Sequence, residues 1–130
     1  MAHEAGDIAH ERGLQVITIT AGEDISKGDV VTLVDGMIAD VTAGETGPFG
    51  VAIADIANGE EGEVAIAPST VYLTAGTGGF TAFTHVMPSE TATEEGTVVD
   101  VATPTFDEVV GVALETATAT AVGKVRLGYF

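Results

Sequence analysis

The chain has 130 residues, no cysteine and no tryptophan, and sets 20 Asp and Glu against 4 Lys and Arg for a formal net charge of −16. A domain of this size buries a core without disulfides, and the absence of thiols excludes a disulfide framework and thiolate chemistry. The cations Arg12, Lys27, Lys124 and Arg126 do not cluster as phosphate binding requires, so nucleic acid is not expected as a partner, and an anionic membrane surface is disfavoured for the same reason.

Residues 1–13 read as an N-terminal arm. They are polar, carry His-Glu twice (His3-Glu4 and His10-Glu11) and end at Gly13. They lack the apolar run of a signal peptide. A short helix or an extended segment fits, mobile unless a partner orders it.

The remainder, 14–130, reads as a single β domain. Leu14–Thr20 alternates, with Val16, Thr18 and Thr20 on one face and Gln15, Ile17 and Ile19 on the other, which predicts a strand. After Ile25 the run Lys27-Gly28-Asp29 predicts a turn. Val30–Gly36 is a second strand, closed by the tight-turn dipeptide Asp35-Gly36, across which Met37–Val41 folds back as a hairpin. Residues 42–48 are loop. Strands follow at Phe49–Ile56, ended by Asn58-Gly59, at Glu63–Pro68 and at Val71–Thr74. Beyond the flexible Gly76–Phe80, Thr81–Met87 is a strand and Pro88–Gly96 an acidic loop. Thr97–Ala102, Val109–Thr116 and Gly123–Phe130 are the last strands, and Ala117–Val122 fits strand or loop. Turn signals about every 8–12 residues with no helical period define an all-β fold, a small sandwich or barrel. No stretch reaches the roughly 20 apolar residues of a membrane helix, so no membrane partner is expected.

The chain also repeats itself. Gly50–Ile66 aligns without a gap on Gly111–Leu127, sharing Gly50/Gly111, Val51/Val112, Ala52/Ala113, Gly62/Gly123 and Val64/Val125. Upstream, Gly36–Val41 matches Gly96–Val101, extending the repeat to 36–66 and 96–127. The shared positions fall on strand ends and turns, so the domain reads as two related β units.

With 45% hydrophobic residues and a mean hydropathy of +0.35, the chain is too apolar to be a disordered acidic segment. A folded domain coated with carboxylates and nearly free of Lys resembles proteins of extreme halophiles. Its self-repulsion is relieved when salt shortens the screening length.

Reactive groups are sparse. His3 and His10 lie seven apart, which is not the spacing of a helical zinc motif. Gly76–Gly79 lacks the Lys-Ser/Thr of a phosphate loop. The acidic stretches 60–63, 89–95 and 107–108 lack the calcium-loop pattern. Ser26, Ser69 and Ser89 could serve as nucleophiles with His85, the one histidine outside the arm, but no nucleophile-elbow motif is present. No enzyme activity, metal or other cofactor is expected. The arm residues His3, His10 and Arg12, together with Lys124, Arg126, Tyr129 and Phe130 of the last strand, are the candidate contact residues. Arg and aromatic side chains favour interfaces, although Tyr129 and Phe130 equally suit a core-closing role.

Three motifs, Ile25–Leu33, Gly50–Val64 and Val71–Leu73, make the segment Ile19–Leu73 resemble the small capsid decoration, or cement, proteins of tailed bacteriophages and archaeal tailed viruses. The resemblance covers under half of the chain, and the acidic bias and the arm depart from the pattern. It implies a β-rich, non-enzymatic protein on the outer surface of an icosahedral head. Such a protein stabilises contacts between major capsid proteins as a homo-oligomer, often a trimer, and is located on the virion and in the host cytoplasm during assembly. The alternative is a non-viral β-barrel binding or carrier module of a halophile, for which Lys27 would be the attachment point.

Overall fold

The computed structural model describes residues 3–10, 12–34, 37–40, 47–89, 96–101, 104 and 108–128. Every regular element among them is a strand: β1 (Ile8–His10), β2 (Gln15–Ala21), β3 (Val30–Val34), β4 (Met37–Asp40), β5 (Phe49–Ala52), β6 (Glu61–Ile66), β7 (Thr70–Thr74), β8 (His85–Pro88), β9 (Val98–Asp100), β10 (Gly111–Ala113) and β11 (Val122–Leu127). The expected all-β class is therefore the observed one. The strands form two sheets. One runs β2-β4-β3-β5-β6, with β6 bonded back to β2 in a closed ring, and the other runs β1-β7-β11-β10-β8-β9.

The two sheets share a pairing scheme. Val51 and Ala52 face Ala65 and Val64 across β5–β6, as Val112 and Ala113 face Arg126 and Val125 across β10–β11, an offset of 61 on both strands. Ile17↔Val64 and Ile19↔Gly62 of β2–β6 correspond to Val71↔Val125 and Leu73↔Gly123 of β7–β11. Val31↔Gly50 corresponds to Val86↔Gly111, and the Ile25↔Ile56 bridge to Phe80↔Ala117. Even the parallel contact that closes the ring, Ala21↔Ile38, has a counterpart in the single parallel bridge Ala75↔Val98.

The core follows the same plan. Ala21, Ile25, Val31, Ala52, Ile56 and Val64 form the interior of the first unit, with Ile17, Ile19 and Ile66 packed against them. Their counterparts in the second unit, among them Ala75, Phe80, Val86, Ala113, Ala117 and Val125, belong to a larger cluster that also takes in Val30, Val51 and Ala65. These three lie in one row across β3, β5 and β6, on the side of the ring opposite its own core. The first unit thus buries one outer wall in the second, and removing apolar surface of this kind from water is the main force holding the sheets together. Ser69 sits at the joint, fully buried. Its hydroxyl accepts the Gln15 N–H at 2.8 Å and donates to the Gln15 carbonyl at 3.0 Å, so both polar groups are satisfied.

Several strands are shorter than the alternation predicts. Thr81–Thr84 is a turn, with Phe83 at a φ of 66° and 79% exposed. In the first unit the same place in the fold is held by Ser26–Asp29, where Gly28 has a φ of 93°. Ala117–Val122 is mainly bridge and turn, because Thr120 at a φ of 64° interrupts the alternation. The predicted Asp35-Gly36 turn and most of the acidic loop 88–96 lie outside the described residues, although the strands joined by the first are paired at Val34↔Met37.

Candidate functional site

The arm is held by its own chain rather than left loose. β1 adds to the edge of β7 through Ile8↔Val71 and His10↔Thr70, with a bulge between. Gly6 donates its N–H to the Tyr72 carbonyl at 2.8 Å, and Tyr72 donates back to the Asp7 carbonyl at 3.0 Å. The Lys27 ammonium donates to Glu4 at 2.7 Å and to Asp7 at 2.8 Å. The His3 ring stacks on Tyr72 with centroids 4.1 Å apart and planes within 8°. A β-bulge and a tight turn, in which the Glu4 N–H reaches the Asp7 carboxylate at 2.9 Å, shape a segment whose sequence shows no strand alternation.

The lock shifts the pKa of two of its groups. The N–H of Glu4, then the Lys27 ammonium, holds the Asp7 carboxyl below its ordinary 3.8. The hydrogen bonds from Lys27 to Asp7 and Glu4 raise the lysine above its ordinary 10.5. With its ammonium engaged by two carboxylates, Lys27 is not presented as a carrier lysine would be. Ser69, a nucleophile candidate by residue type, uses its hydroxyl at the joint described above.

Four of the candidate contact residues, His3, His10, Lys124 and Arg126, converge on one surface. Directly paired residues in antiparallel strands point to the same side of a sheet. The row His10–Thr70–Arg126–Val112–His85 crosses β1, β7, β11, β10 and β8, and Tyr72–Lys124 lies alongside it. The opposite face carries Val71, Leu73, Val125 and Ala113, all fully buried, so the first row faces outward. His3 joins it through Tyr72. All three histidines, Lys124 and Arg126 therefore share the outer face of the six-stranded sheet. Its strand positions hold no Asp or Glu. Glu115 lies at its margin, its carboxylate accepting the Lys124 N–H at 3.0 Å.

Arg12 is exposed between β1 and β2, and Tyr129 and Phe130 lie outside the described residues. The sequence places His85 in the strand Thr81–Met87, where a surface or interface histidine fits, but does not single it out among the contact residues. Its partner across the ladder, Val112 of β10, follows more than 20 residues later, and no local pattern announces that pairing. No group of three or more His, Asp or Glu positioned to hold a metal occurs among the described residues, and no helix there is long and apolar enough to cross a membrane.

The described residues thus form a doubled β scaffold with three histidines and two cations on, or stacked upon, one sheet face. The family model of the phage cement proteins matches residues 10–128, and the chain belongs to that family. Membership makes it a phage capsid-associated structural protein. Among solved structures, the N base of the head fiber protein gp8.5 of bacteriophage phi29 is similar in fold. The TM-score is 0.65 at 18% identity, over 88% of this chain and 94% of that one. No curated relative matches the chain.

Proposed function

We propose that this protein decorates the outer surface of an icosahedral phage head, binds neighbouring major capsid proteins there and holds them together without catalysing a reaction. It acts as a homotrimer, is made in the host cytoplasm and joins the head during assembly, and its virus infects a halophile. Nucleic acid and membranes are not among its partners. His3, His10, Arg12, Lys124, Arg126, Tyr129 and Phe130 supply contacts to the shell or between subunits. The single observation that carries this reading is the cement-family match across residues 10–128. The gathering of four of the contact residues and His85 on one face, or stacked upon it, supports a binding role.

The test is co-sedimentation with purified heads that lack the protein. Saturable binding, with decorated heads surviving a higher temperature or a sharper osmotic shock than bare ones, is expected. A protein that stays at the top of the gradient at every salt concentration would remove the proposal.

A further inference from the structure

The two-stranded ribbons β2–β6 and β7–β11 are the same object with opposite electrostatic character. Their ladders share one register, so Thr18 and Glu63 of the first occupy the places of Tyr72 and Lys124 in the second, and Glu61 occupies that of Val122. Identical pairing gives the two ribbons the same repeat along their strands. On the first ribbon the outer face presents exposed Glu61 and Glu63. On the second it presents Lys124 with the apolar Val122, and Arg126 one step further along the strand. The whole chain carries 20 acids against 4 cations, and two of those four, Lys124 and Arg126, lie on this face. Carboxylates are missing from the strand positions of this sheet's outer face alone of the two.

We propose that copies of this chain associate head to tail, the β7–β11 ribbon of one docking on the β2–β6 ribbon of the next. This rests on the oligomeric part of the function proposed above and names its surface. Charge complementarity selects the occupant. A second copy brings a row of carboxylates at the spacing of the cation-bearing ribbon, because both ladders repeat alike. Each exposed ion pair contributes little. The charges therefore set partner and register, while Val122 and Val112 supply apolar contact. Such a contact joins unlike surfaces, so it is heterologous and closes into a ring when the rotation between copies permits.

Charge exchange, read by sedimentation velocity at one salt concentration at which circular dichroism shows every variant folded, tests this. The native chain is expected to sediment as an oligomer. Lys124→Glu with Arg126→Glu, and separately Glu61→Lys with Glu63→Lys, should each weaken association at least tenfold. The fourfold exchange should restore it, because it reverses both partners. A double variant that associates like the native chain, or a loss that the fourfold exchange does not restore, overturns this surface while leaving an oligomer standing. A native monomer at all concentrations overturns the oligomeric reading as well, and head binding is scored separately by co-sedimentation.

Discussion

At the residue scale, the repeated glycines mark close approaches. A Cβ on Gly111 would run into the Arg126 carbonyl, and one on Gly50 into the Val64 side chain. Gly123 leaves only 2.7 Å for a Cβ before the Phe80 ring. Gly50/Gly111 and Gly62/Gly123 were visible in the sequence as shared letters, and strand contact at this range is why both units keep them. Elsewhere the second unit departs from glycine where the first keeps it. Thr120 sits at a φ of 64° where its counterpart Gly59 has 85°, and a β-branched residue in the left-handed region is strained. Replacing Thr120 with Gly should therefore raise stability by about 0.5–1 kcal/mol, the steric relief less the added chain entropy of glycine. Thermal unfolding of the variant beside the native chain measures it. An unchanged or lower Tm would mean that the turn carries no such strain.

At the element scale, legibility divides by whether a signal is local. β2 to β7 were marked by alternation and by Asp-Gly, Asn-Gly or Pro punctuation, and each occurs within a few residues of its expected span. Thr81–Thr84 read as strand because its turn keeps none of the Gly and Asp that mark Ser26–Asp29, with Phe83 standing where Gly28 would be. The correspondence of β2 with β7 was hidden by its different offset of 54 (Ile17 to Val71), set by the short joint at Ser69. The arm was the least legible element. Its edge strand is imposed by β7 and by Lys27, both distant in sequence, and intrinsic preference is readily overridden by such context. The lock is also titratable. Asp7 has a depressed folded pKa, so its contribution is present above its ordinary value of 3.8 and is lost as pH falls through the lower folded value. Lys27 has a raised folded pKa, so its contribution is complete below 10.5 and fades only as pH rises through the higher folded value. Between these limits the arm should stay docked, and acidification below 3.8 should release it before the sheets open. Amide hydrogen exchange at Gly6 and Tyr72, whose N–H groups bind across the arm, would report the release. Exchange at these two amides that rises only with exchange of the β7–β11 ladder would show that the ion pairs do not control docking.

For the whole molecule, a charge of −16 on 130 residues sets a global term that no local contact cancels. Among the described residues, Lys27 is the cation whose ammonium is seen to pair with two acids. Glu60, Glu61 and Glu63 are exposed close together along the chain. Compaction brings such groups nearer than they lie in the unfolded chain, so repulsion disfavours the native state whenever screening is weak. At about 0.01 M salt the screening length is roughly 30 Å, so carboxylates across the domain repel one another, whereas at 1 M it is roughly 3 Å and only immediate neighbours do. The interior that opposes this repulsion is built from Val, Ile, Leu and Ala, with Phe80 and Tyr72 as the buried aromatics seen, so its apolar gain per residue is modest. The proposed halophilic origin then has a direct consequence. Dialysis from molar to millimolar salt should abolish the β-type circular dichroism, and returning the salt should restore it. A neutral osmolyte that leaves ionic strength unchanged should rescue folding less well than salt, because it strengthens burial without screening charge. A chain that keeps its full spectrum and its Tm at millimolar salt would show that the core outweighs the repulsion, and that the acidic surface is not an adaptation to brine.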